Sequence, residues 1–116
     1  MRFSWDERKR ELNLSDHEID FVDASKVFAG LTTTFEDDRF EYGEQRFVTL
    51  GFLDGVPVSI AHTESSDEIR VISFRRATRN EEKILFESIE DQLPNPQQQE
   101  AVVPQADRRT PGTPRK

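Results

Sequence analysis

Asp54-Gly55 stands between two strand-like runs, Gln45 to Leu53 (QRFVTLGFL) and Val56 to Thr63 (VPVSIAHT). A two-residue loop of this kind needs positive φ at its centre, which Asp tolerates and Gly adopts freely. It therefore commits its flanking runs to an antiparallel hairpin. Gly51, inside the first run, is expected at a bulge. Pro57 cannot donate to a ladder, so the start of the second run is expected at an edge or outside the pairing. Glu64 to Asp67 make a further turn, and Ile69 to Arg75 form the next strand. Its apolar residues fall on both sides (Ile69 and Val71; Ile72 and Phe74), the pattern of a strand covered on both faces. Leu31 to Phe35 is a short β-branched run, followed by turn signals at Asp37-Asp38 and Tyr42-Gly43.

Helical signals flank this meander. Arg2 to Trp5 is a candidate short edge strand. Asp6 is placed to N-cap a helix from Glu7 to Leu14, which Ser15 or Asp16 would stop or restart. Ile19, Phe21, Val22, Ala24, Val27 and Phe28 share a face of a second helix, ending near Gly30. Thr78 and Glu81 form a capping box at the head of a last helix, with Ile84, Leu85, Ile89 and Leu93 as its apolar stripe. The fold class is therefore α+β, with two N-terminal helices, an antiparallel sheet of three to four strands and a C-terminal helix.

All nine Phe, the Trp and the Tyr lie before residue 94, whereas five of the six Pro lie after it. Residues 1–93 are thus expected to form one domain, and the Pro/Gln-rich stretch 94–116 a disordered tail. The chain carries −7; since Arg108, Arg109, Arg115 and Lys116 outweigh Glu100 and Asp107, the domain alone carries −9. That balance argues against a nucleic-acid footprint over the whole surface. Yet residues 70–83 hold five basic side chains against two acidic ones, and screening leaves such a strip its own local field. The chain contains no cysteine, which excludes disulfides and thiolate metal sites and suits a reducing cytoplasm. It has no apolar run long enough to span a membrane, and its opening residues are charged rather than signal-like.

Few residues suggest chemistry. His17 and His62 have no metal-ligand spacing, no phosphate-binding glycine loop is present, and no cofactor is implied. Arg46, Arg70 and Arg75 sit at strand ends and would frame one side of the sheet. Guanidinium groups bind phosphate in bidentate fashion and stabilise a developing phosphorane. Glu44 and His62 are candidate general acid and base. Lys9, Arg76 and Arg79 are candidates for holding RNA. The same arginines also suit ordinary salt bridging on a solvated face, and His62 also suits a hydrogen-bonded place at the edge of the core.

Read together, the residues are more specific. Trp5-Asp6, Lys9, Asn13 and His17 open the chain, Glu44 and Arg46 mark its middle, and Arg70-Val71-Ile72-Ser73-Phe74-Arg75, Ala77-Thr78 and Glu81 close it. This order and spacing resemble the BrnT family of toxins over about residues 2–87. The resemblance implies a RelE-like fold and a metal-independent endoribonuclease that cleaves RNA and inhibits translation. It also implies a BrnA-like antitoxin partner, through which alone the protein would meet DNA, and it favours Arg46, Arg70 and Arg75 for phosphate binding, with Glu44 as base. The sequence departs from the family pattern at Asp16 and Glu18, at Phe74, and at Leu85 where a tyrosine is common. A catalytically weak module that binds an antitoxin and co-represses its operon is the alternative reading.

Overall fold

The hairpin forms at Asp54-Gly55, with φ of 51° and 82° at the two turn residues and Leu53 paired with Val56 across it. Around it the computed structural model describes residues 1–38, 41 and 43–92. In chain order these give β1 (Arg2–Trp5), α1 (Glu7–His17), a 3-10 turn (Phe21–Asp23), α2 (Ala24–Phe28), β2 (Thr33–Glu36), β3 (Phe47–Leu53), β4 (Val56–Glu64), β5 (Glu68–Arg76) and α3 (Arg79–Gln92). The tail expected over 94–116, like the tyrosine of the Tyr42-Gly43 turn, lies outside the described residues.

The sheet is five-stranded, in the order β1-β5-β4-β3-β2, and it is mixed. This corrects the expected all-antiparallel sheet of three or four strands: β1 runs parallel to β5, pairing Arg2 to Trp5 with Glu68 to Val71. Four residues carry too little periodicity to reveal the direction of their partner.

Because β1 stops at Trp5, the second half of β5 would expose an unpaired edge. Helix α1 closes it. The buried Asn13 side chain accepts from the Phe74 N–H at 3.0 Å and donates to the Phe74 C=O at 2.8 Å, as a neighbouring strand would. Its amide also donates to Ile19 C=O at 2.9 Å, fixing the chain where it leaves the helix. The start of α1 is capped by Asp6, whose carboxylate accepts from the backbone N–H groups of Arg8 and Lys9. The helix runs one turn past the predicted stop and ends where Glu18 turns left-handed at φ 61°. The second helix expected over 19–28 is a 3-10 turn followed by the five-residue α2. Phe21, Ala24 and Val27 are spaced by three and all buried, so a tighter winding still aims them at one place.

That place is the face of the sheet formed by Val58, Ile60, Val71 and Phe74, rimmed by Phe3, Trp5, Ile19 and Phe28. Gly51 lies beneath it and pairs regularly with Val58, so it does not mark a bulge. A Cβ on Gly51 would sit 2.7 Å from Val27 Cγ1 and 3.0 Å from Thr32 Cγ2, so the residue permits close approach of α2. On the opposite face α3 lies mainly on β2 and β3, packing Leu85 and Ile89 on Val48, Leu50 and Phe52. Pro57 lies within the central strand β4. Its missing N–H falls where the β4–β5 ladder has ended at Val58–Arg76, and its C=O accepts from Ala77 N–H at 3.1 Å.

Candidate functional site

Arg70 and Arg75 are five residues apart. In a regular strand an odd separation puts two side chains on opposite faces. Here β5 carries one extra residue: Ala61 pairs with Ser73 while His62 pairs with Val71, leaving Ile72 without a partner. This bulge shifts the alternation by one. Val71 and Phe74, three apart, therefore both enter the core under the helices, and Arg70, Ser73 and Arg75 all turn to the other side. The expectation that β5 is covered on both faces is thus corrected: the apolar residues 69, 71 and 74 share one face because the strand bulges between them.

The face that Arg70 and Arg75 share is the one left open beyond α3. Its register places Arg70 between Ser4 on β1 and Thr63 on β4, and Arg75 opposite Ser59. The Arg70 side chain is exposed and makes no hydrogen bond or ion pair with another described residue. Beside it, Ser4 Oγ donates to Glu68 and Arg2 pairs with Glu68 at 2.9 Å, so that carboxylate is already engaged. Arg46 precedes Phe47, whose partner is His62, and so stands near the level of Thr63. Its guanidinium pairs with Glu44 at 3.2 Å, which joins two of the sequence candidates directly.

Arg75 is half-buried and gripped. Its Nη1 and Nη2 donate to the two carboxylate oxygens of Glu81 at 2.8 and 3.0 Å, and Nη1 also donates to Arg76 C=O. Glu81 simultaneously accepts from Thr78 N–H at 2.9 Å while its own N–H donates to Thr78 Oγ1 at 3.1 Å, completing the predicted capping box. Burial alone would raise the Glu81 carboxyl, but the bonds from Arg75 and Thr78 hold it below its ordinary value.

His62 is not part of this group. It is fully buried on the helix-covered face, with Phe28 edge-on at 5.2 Å and Phe47 stacked at 6.0 Å. Its Nε2 shares a hydrogen bond with Thr49 Oγ1 at 2.7 Å, which in turn meets Thr34 Oγ1 at 2.7 Å. Glu64 comes no nearer to Nδ1 than 3.6 Å, so burial prevails and pushes the imidazole down to about 4, opposed in part by the Thr63 backbone. A neutral, enclosed ring supports the core rather than reaching a substrate on the other side.

The remaining candidates are scattered. Lys9 is exposed in the first turn of α1, and Arg79 is exposed at the start of α3. Arg76 follows Arg75 and so takes the covered-face side, where it borders a 210 Å³ cleft with Glu18, Ile19 and Asp54. Sequence reasoning missed Ser4 and Thr63 beside Arg70, since only the register brings them there. It read Glu81 as a helix cap alone; its position six residues after an arginine at a strand end was the available sign of a second role. Among the described residues no group of three or more His, Asp or Glu could hold a metal ion, and no helix is long and apolar enough to cross a membrane.

Comparison with known proteins gives this geometry a context. A family described as the ribonuclease toxin BrnT of a type II toxin–antitoxin system matches residues 5–81. The 1.1 Å crystal structure of the Brucella abortus ribonuclease toxin BrnT superposes with a TM-score of 0.55 at 27% identity, covering 68% of this chain and 99% of that one. A search of curated proteins returned no match.

Proposed function

This chain belongs to the family of BrnT ribonuclease toxins of type II toxin–antitoxin systems, and we propose that it cleaves RNA on the open face of its sheet. The observation that carries the reading is the β5 bulge, which turns Arg70 and Arg75 to one solvent-facing surface. Arg70, without a protein partner among the described residues, takes the phosphate, and Arg75 and Arg46, each paired with a carboxylate, offer it further guanidinium donors. Glu44, held by Arg46, accepts the proton of the ribose 2′-hydroxyl. The 2′ oxygen bonds to phosphorus, the bond to the 5′ oxygen breaks, and that oxygen takes a proton from solvent. The reaction needs no metal or cofactor. Arg76 lies on the covered face, and Lys9 and Arg79 are exposed at the starts of α1 and α3; these three contribute at most to holding flanking RNA.

In this reading the protein acts in the cytoplasm in the RelE manner, inhibits translation, and is neutralised by a BrnA-like antitoxin that supplies any contact with DNA. The −9 charge of residues 1–93 suits a basic antitoxin segment, since complementary charge speeds encounter. The test is cleavage of a labelled single-stranded RNA by the purified chain, with and without EDTA, beside Arg70→Ala. Cleavage that survives EDTA and is lost in the folded variant supports the reading. A folded wild-type chain that binds antitoxin but cuts no RNA replaces it with a co-repressor module.

A further inference from the structure

Arg75 and Glu81 make a two-point contact that the capping box does not require. A capping box needs only one Glu81 oxygen for the backbone, yet both oxygens here bind the Arg75 guanidinium. The result is a chain of fixed atoms running from the backbone at the head of α3, through the Glu81 carboxylate, to an arginine on the open sheet face.

The pairing has a directional consequence. A guanidinium offers two forks, one between Nη1 and Nη2 and another between Nε and Nη2. Glu81 fills the first, and Arg76 C=O takes a remaining hydrogen of Nη1. The Nε–H and one Nη2–H are left without a partner among the described residues. They form a complete second fork, and the side chain is 36% exposed, so the fork has access to solvent. Glu81 is only 17% exposed and tied to Thr78, so it does not swing with the arginine.

We propose that Glu81 is a positioning residue for RNA cleavage: it fixes the Arg75 guanidinium so that its Nε–Nη2 fork is presented ready-oriented to a phosphate of the substrate. The inference rests on the proposed cleavage at the open face and adds a residue to it. Arginine loses several rotors' worth of freedom when it binds an anion, and holding it beforehand removes that cost from the reaction. The Glu81 charge is balanced by Arg75 itself, so the face still has Arg70 as its unneutralised cation.

The experiment uses the full chain in a steady-state RNA cleavage assay with five proteins: wild type, Arg75→Ala, Glu81→Gln, Thr78→Ala and the double variant Arg75→Ala/Glu81→Gln. Glu81→Gln keeps an oxygen for Thr78 N–H but cannot grip both ends of the guanidinium. Thr78→Ala removes the Thr78 hydroxyl from the cap while sparing the Arg75 pair, and so controls for loss of helix stability. Glu81→Gln is expected to lower kcat by on the order of 10- to 100-fold, the scale of misplacing a catalytic group, at temperatures where Thr78→Ala retains wild-type kcat. In the Arg75→Ala background the same change is expected to cost nothing further. Wild-type kcat in Glu81→Gln overturns the inference, as does a loss that multiplies with that of Arg75→Ala, or an equal loss in Thr78→Ala. An active Arg75→Ala instead overturns the assignment of Arg75 to the phosphate, which is a failure of the underlying reading and is visible separately.

Discussion

The two faces of the sheet divide the work between them. On the covered face, Phe21, Val27, Ile60, Val71 and Phe74 are buried, and the Asn13 and Thr49 side chains there are bonded to neighbours. On the open face beyond α3, Ser4, Thr63, Arg70 and Arg75 point outward, and an arginine stands without a partner among the described residues. A surface that contributes little to folding is free to hold uncompensated charge. A face that must exclude water cannot hold such charge, which explains why His62, enclosed there, stays neutral. The bulge at Ile72 is the device that lets one strand serve both ends, sending three apolar residues one way and two arginines the other.

This division is broken most forcefully from the covered side. Phe21→Ala removes a fully buried ring from the middle of the larger core cluster, and should cost about 3–5 kcal/mol of unfolding free energy. Urea denaturation reads this directly. A loss below about 1 kcal/mol would mean that the helices contribute little to holding the sheet.

Acid sharpens the contrast from the same side. His62 titrates near 6.5 when unfolded and is pushed down to about 4 by burial, so the unfolded chain binds more protons between those values. The stability due to the neutral ring is full above about pH 6.5 and is lost as pH falls toward 4. The loss amounts to at most about 3 kcal/mol. His62→Gln should lack this dependence, so the gap between the two unfolding curves should change most between pH 6.5 and about 5, above most carboxylate titration. Parallel curves would show that the ring is solvated in solution.

The open face should answer in activity instead. Arg70→Ala leaves every described hydrogen bond and ion pair intact, so its unfolding free energy should stay within about 0.5 kcal/mol of wild type. RNA cleavage should nevertheless fall by on the order of 100-fold, the usual scale for removing a group that stabilises transition-state charge. A destabilised Arg70→Ala protein would erase the separation between the faces.

Local chemistry made much of this legible in sequence. Asp54-Gly55 marked its hairpin, Thr78 with Glu81 their cap, and Asp6 its helix start, because each is fixed by residues within three positions. The parallel pairing of β1 and the bulge in β5 were not legible, because both depend on a partner strand distant in sequence. Without the bulge, Ile69, Val71, Ile72 and Phe74 read as a strand covered twice, and strict alternation would set Arg70 and Arg75 on opposite faces. The grouping of the arginines on one side was expected from their places at strand ends, whereas the structure reaches it through Ile72. His62, by contrast, was legible: alternation along β4 sets it with Val58 and Ile60, and the structure buries it there, away from the arginines.

The smallest effect tests how the covered face is sealed. Asp6 sits between β1 and α1, and its carboxylate caps Arg8 and Lys9 N–H at 2.9 and 3.2 Å. Asp6→Ala should cost about 1 kcal/mol, the ordinary value of an N-cap. If α1 served only as a lid, that loss would appear as a uniform fall in stability. Since Asn13 on this helix replaces a missing strand for Phe74, fraying α1 should also loosen one edge of β5. Amide exchange at Phe74 should therefore accelerate more than at Ile60, which faces it from β4. Equal acceleration at both positions would mean that α1 supports the sheet as a whole, and that the β5 edge gains nothing particular from Asn13.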